Sequence, residues 1–159
     1  MYSLYWYCIR YNAFNSRVDI HRQLAHLSRM DILSVFGIRG RPKELHQLED
    51  ALSALGLHPK RVPDSVKLAA VKLMKEAEGG AMADAEASCA RTAPLLVYCM
   101  LGVDDYTTAN GMGDTAAAEV RLRHAIESGE SLDARLAMLT VIANVVHPAI
   151  IEEFDLQVD

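Results

Sequence analysis

At 159 residues, with 51% hydrophobic and 23% charged side chains and a mean hydropathy of +0.06, the chain has the size of one ordinary domain and is too apolar to be disordered. Its formal net charge of −5 conceals an asymmetry, because residues 1–75 hold twelve Lys and Arg against six Asp and Glu, whereas residues 76–159 hold four against fifteen. Three cysteines, Cys8, Cys89 and Cys99, lack CxxC spacing and argue against a disulfide scaffold, and the longest apolar run, Ala93 to Val103, is too short to span a bilayer and contains Pro94 and Gly102.

The opening segment is aromatic: Tyr2, Tyr5, Tyr7 and Tyr11 surround the single tryptophan, Trp6. This composition favours an extended strand, and its imperfect alternation also fits a short buried helix. No basic stretch followed by a small-residue cleavage site is present, so a secretory leader is not expected and the cytoplasm is the expected location. Ser16 with Asp19 three residues on has capping-box spacing, and Ile20, Leu24 and Leu27 follow at helical intervals, predicting a helix to about Arg29. The stretch Asp31 to Ile38 reads either as that helix continued or as a second strand.

Gly37 and Gly40 interrupt the pattern, and Pro42 stands where a first helical residue is expected, since its missing N–H costs nothing there. The helix it opens carries Leu45, Leu48, Leu52 and Leu55 on one stripe and is closed by Gly56. A loop from Leu57 to Pro63 leads to a helix capped by Asp64, with Val66, Ala70, Leu73 and Ala77 on its buried face and Gly79-Gly80 at its end. That glycine pair coincides with the change in charge sign and is the candidate hinge between basic and acidic halves of a single domain. Ala81 to Ala90 suits a helix but has little to bury. Thr92 and Pro94 then start a new helix over Leu95 to Leu101, apolar on all sides and therefore central, which Gly102 ends.

Val103 to Gly113 reads as a long loop, and Asp114 caps a helix to Ser128. Ser131 caps the last strong helix, whose stripe of Leu132, Leu136, Leu139, Ala143 and Val146 runs until Pro148, and the tail from Ala149 adds one turn. The expected fold is mainly α, a compact bundle of about five or six short helices with an N-terminal strand or small two-stranded element.

The sharpest local motif, Arg39-Gly40-Arg41-Pro42-Lys43, resembles the core of an AT-hook, a short element that lies in the minor groove of AT-rich DNA. The resemblance spans these residues alone and implies that the glycine approaches the groove floor while the arginines enter its narrow, negative interior. The same residues also make an ordinary turn ahead of a helix. More broadly, Arg39, Arg41, Lys43, Lys60, Arg61, Lys67, Lys72 and Lys75 fall in two loops and one helix, and would bind phosphates if they converged on one face. No Phe, Tyr or Trp lies among them, so an acidic protein partner fits equally, as does a solvated charged face.

Other constellations carry less. Asn110-Gly111-Met112-Gly113-Asp114-Thr115 is a glycine-rich stretch before a helix, but it lacks the third glycine of a dinucleotide fingerprint and the lysine of a phosphate loop, and Asp114 would repel an anion. Asp104, Asp105 and Asp114 do not have the spacing of a calcium loop. His21 and His26 are off the helical metal register, and His58 and His147 each precede a proline and read as helix-end or surface residues. No nucleophile elbow, zinc-protease helix or cofactor fingerprint occurs, which lowers the odds of an enzyme. The reading that fits best is a non-catalytic adaptor or inhibitor that docks on a larger protein assembly through charged surfaces, with no cofactor, no metal and no membrane. Nucleic acid bound by the basic region 39–75 is the alternative, and a second copy of the chain remains an open partner.

Overall fold

The computed structural model describes residues 41–156, of which those from Lys43 onward make up one compact unit. The unit consists of six helices, with no strand among the described residues: α1 (Lys43–Ala54), α2 (Asp64–Ala77), α3 (Ala85–Asn110), α4 (Met112–Ser128), α5 (Leu132–Ile142) and α6 (Pro148–Phe154), plus a 3-10 turn at Pro59–Arg61. The expected mainly helical class is the observed one, and no helix among the described residues is long and apolar enough to cross a membrane. The expected elements at Tyr2–Tyr11, Ser16–Arg29 and Asp31–Ile38 lie outside the described residues, as do Arg39 and Cys8.

The axis of the unit is α3. Helices α1, α4, α5 and α6 pack against it, and α2 joins the bundle through α1 and α5. The cause is its composition: from Leu95 to Leu101 every side chain is buried, so this helix has no face for solvent and must be surrounded. The leucine stripe of α1 meets it with Leu45, Leu48 and Leu52 at 0%, 0% and 1% exposure. Truncating any of these three to alanine costs about 2–5 kcal/mol, the range for a cavity in a packed core.

Several sequence expectations are corrected along α3. The helix does not start at Thr92 but at Ala85, because the Asp84 carboxylate accepts the Ala87 N–H at 3.0 Å and caps it. Pro94 is therefore inside the helix, where it removes the donor for the Ala90 carbonyl. The stop expected at Gly102 is present: at φ 78 and ψ 175 it ends the first helical segment of α3, and a second segment follows directly to Asn110. The long loop expected from Val103 to Gly113 is thus mostly helix. Its acids and threonines stand in helical register, and Thr107 and Thr108 return their hydroxyls to the carbonyls of Val103 and Asp104. Gly111 alone separates α3 from α4, and Asp114 lies within the first turn of α4 and does not cap it.

Helix ends explain the remaining differences. After α1, Leu57 N–H donates to Leu52 carbonyl at 3.0 Å and Gly56 N–H to Ser53 carbonyl at 3.1 Å, the paired bonds of a Schellman stop with glycine at φ 87. After α2 the same pair runs from Gly80 to Lys75 and from Gly79 to Glu76, so the helix ends at Ala77, which is exposed and not part of the buried face. After α5 it runs from Val145 to Thr140 and from Asn144 to Val141, with Asn144 left-handed at φ 54. The last helix therefore stops well before Pro148, and Asn144 was the signal for it. Asp64 is the first residue of α2 and makes no cap; its carboxylate goes to Lys67.

Candidate interaction surface

The charged side chains sort into those consumed by the fold and those left to solvent. Lys67, on α2, is 3% exposed; its ammonium lies 2.5 Å from Glu49 of α1 and 2.7 Å from Asp64. Burial pulls its titration down, but the hydrogen bonds to Asp64 and Glu49 together outweigh that and hold the ammonium above its ordinary range. Lys75 meets Glu44 at 2.7 Å, and this bond holds the Glu44 carboxyl below the usual carboxylate range. Lys72 lies 4.0 Å from Glu76, whose other oxygen takes Arg135 of α5 at 2.7 Å.

The arginines are used similarly. Arg121 on α4 grips Asp133 of α5 with two parallel bonds, Nε to Oδ2 and Nη2 to Oδ1 at 2.5 and 2.6 Å. Its third nitrogen, Nη1, donates to the Arg91 carbonyl beside the Pro94 irregularity of α3. One guanidinium thus ties three helices together, a task for which its planar fork is suited and an ammonium is not. Arg91 and Ser88 both donate to Glu78, and Arg91 also donates to Ser88. Arg123 pairs with Glu119 at 2.8 Å and stands 5.5 Å from the centre of the Phe154 ring.

These placements divide the sequence-predicted site. Lys67 is buried, and Lys67, Lys72 and Lys75 are neutralised by carboxylates of their own fold. Lys43, Lys60 and Arg61 are exposed and have no ion pair among the described residues, Lys60 and Arg61 side by side on the 3-10 turn and Lys43 at the start of α1. Arg41 is exposed just before α1, and Arg39 lies outside the described residues. Against Lys43, Lys60 and Arg61, Asp104 and Asp105 on α3, Asp114 and Glu127 on α4, and Glu152 and Glu153 on α6 are all exposed, with no cation within 4.0 Å among the described residues. Asp50, Glu86 and Glu130 share that condition. From Lys43 to Leu156 the chain carries ten Lys and Arg against eighteen Asp and Glu, so internal pairing leaves an acidic surface.

Sequence reasoning overlooked this sorting, although part of it was visible. Asp64 and Lys67 are three apart and Lys72 and Glu76 four apart, the spacings at which helical charges pair. The Glu49–Lys67 and Glu44–Lys75 contacts join different helices and leave no local signal.

The other candidates are placed as follows. No long glycine-rich loop exists between Asn110 and Thr115: the Thr107 and Thr115 hydroxyls meet at 2.9 Å across Gly111, and Thr115 also donates to the Gly111 carbonyl at 2.9 Å. Among the described residues no three His, Cys, Asp or Glu side chains are grouped as a metal site requires. Cys89 and Cys99 are buried free thiols, and burial pushes them up to about 11 and about 12, which makes them poor nucleophiles. No family model, curated protein or solved structure matches this chain.

Proposed function

We propose that this protein is a non-catalytic docking protein, of the adaptor or inhibitor kind, that seats on a larger protein assembly in the cytoplasm through charged surfaces. The observation that supports this reading is the sorting of charge just described. The cations after Pro42 are largely spent inside the fold, while exposed carboxylates on α3, α4 and α6 are left without partners. Unpaired surface charge of one sign steers encounter with an oppositely charged protein and disfavours a phosphate backbone. The exposed basic residues Lys43, Lys60 and Arg61 are divided between the two ends of α1, Lys43 at its start and Lys60 and Arg61 on the turn after it, which is less than the continuous basic region a nucleic-acid reading would need.

The test is affinity purification of the full chain from its native cells, with bound protein and nucleic acid both identified. A variant with Asp104, Asp105, Glu152 and Glu153 changed to the corresponding amides is carried in parallel. A protein captured by the wild type, lost from the variant and weakened by salt is the expected result. Retention of that protein by the variant, or recovery of nucleic acid that survives the variant and is lost on changing Lys60 and Arg61 to glutamine, overturns it.

A further inference from the structure

Two His-Pro pairs in the described chain are built alike. His58 caps the 3-10 turn and His147 caps α6. In each the backbone is extended (φ −64, ψ 125 and φ −70, ψ 137), proline takes the first helical position, and Nδ1 accepts the N–H two residues on at 3.2 Å, from Lys60 and Ala149. A ring nitrogen accepts only through its lone pair, so each cap requires the neutral imidazole with its proton on Nε2.

His147 has two further contacts, and both are with the break in α3. Its backbone N–H donates to the Cys99 carbonyl at 2.7 Å, the carbonyl that the Val103 N–H would take in an unbroken helix. Its ring lies against Gly102, where an added Cβ would stand 2.5 Å from Nδ1 and 2.7 Å from Cγ. Cap, amide and ring together join the start of α6 to the one place where α3 departs from helical geometry.

We propose that His147 is a proton-operated fastener, which holds α6 on the Gly102 break when neutral and loosens it when protonated. Protonation replaces the Nδ1 lone pair by an N–H that faces the Ala149 N–H, and it sets a positive charge at the positive end of the α6 dipole. The helix has seven residues, too few to persist without tertiary contacts. What else holds it is the buried Ile150 and the Arg123–Phe154 contact. Among the described residues no carboxylate lies within 4.0 Å of the imidazole nitrogens, and burial keeps the Cys99 thiol on α3 protonated; the acids carried by the elements around it are Glu86, Asp104 and Asp105 on α3, Asp133 on α5, and Glu152 and Glu153 on α6. Once α6 loosens, the Cys99 carbonyl can turn to the Val103 N–H, which gives α3 a second arrangement to relax into. His58 makes the same cap on an exposed turn without a tie to α3, and serves as an internal control.

The experiment is amide hydrogen exchange by NMR on the full chain, over a series from about pH 7.5 down to about pH 5.5, with rates corrected for intrinsic pH dependence. Losing an N-cap and adding a like charge at the dipole predicts that protection of the His147, Ile151 and Leu156 amides falls about tenfold on acidification, relative to Leu95 to Val97. His147→Asn keeps a neutral cap that does not titrate, and it should abolish that acid response while α6 stays docked. His58→Asn should leave the response intact. The proposal is overturned by an unchanged wild type, by an acid response that persists in His147→Asn, or by core amides losing protection in parallel with α6.

Discussion

Lys67 and Glu49 meet at 2.5 Å across the contact between α1 and α2, with the lysine 3% exposed and the glutamate 13%. The same ammonium meets Asp64 at 2.7 Å. Removing it takes the cation from two carboxylates and opens a gap where a 3% exposed side chain stood, so Lys67→Ala should cost about 2–4 kcal/mol in urea unfolding. Lys67→Met keeps the stem packed and should cost less. A loss under about 0.5 kcal/mol for the alanine variant would mean that the triad contributes no net stability.

Opposite ends of the pH scale are governed by two different lysine contacts. Glu44 is held below the usual carboxylate range, chiefly by its bond to Lys75. Its contribution is present above the unfolded carboxylate value of about 4.3 and disappears as pH falls through the lowered folded value. Lys67 is raised, so its contribution is present below about 10.4 and disappears as pH rises through the folded value. Glu44→Gln should therefore flatten the acid limb of a stability–pH curve and leave the alkaline limb in place. Equal change in both limbs would contradict this assignment.

Tyr98 is fully buried and its hydroxyl has no hydrogen-bond partner among the described residues, while its ring stacks edge-on against Tyr106 at 5.5 Å. An unsatisfied buried hydroxyl costs more than the bond it fails to make. Tyr98→Phe keeps the ring contact and should stabilise the protein by about 1 kcal/mol, visible as a rise in Tm by calorimetry. Destabilisation of similar size would show that the hydroxyl has an acceptor or a bound water in solution.

Arg121 offers a test of geometry against charge. Arg121→Lys preserves the sign of charge beside Asp133 but cannot supply the second parallel bond and the Arg91 carbonyl bond together. It should lose about 1–2 kcal/mol, with exchange of α3 amides near Pro94 accelerating most. If Arg121→Lys matches wild type while Arg121→Met is destabilised, charge rather than the fork is what matters.

What could be read from the chain and what could not follows one division. The stripe Leu45, Leu48 and Leu52, the all-round apolarity of Leu95 to Leu101 and the Ser131 cap, which accepts the Ala134 N–H at 3.1 Å, are local patterns and gave the helices they predict. Gly102 stops the first segment of α3 as its type suggests, whereas Pro94 was misleading: it lies inside the helix, with Arg121 bonded to the Arg91 carbonyl beside it. Within the basic region 39–75, Lys67, Lys72 and Lys75 are taken up by carboxylates of the fold. Whether a lysine faces solvent or a carboxylate depends on which helix lies across from it, and no spacing within α2 encodes the position of Glu49 or Glu44 on α1.

The turn at Gly79-Gly80 is spanned from both sides, by Glu76 to Arg135 and by Glu78 to Ser88 and Arg91. The packing also runs across it, α1 on α3 and α2 on α5, so the two helices before the turn bury their apolar faces on helices that follow it. Cutting the backbone between these glycines would therefore turn folding into an association of two bodies, the first richer in Lys and Arg and the second richer in Asp and Glu. Their encounter would be fast in dilute buffer and slow in salt, so that the sign change along the chain becomes a rate constant one can tune with ionic strength.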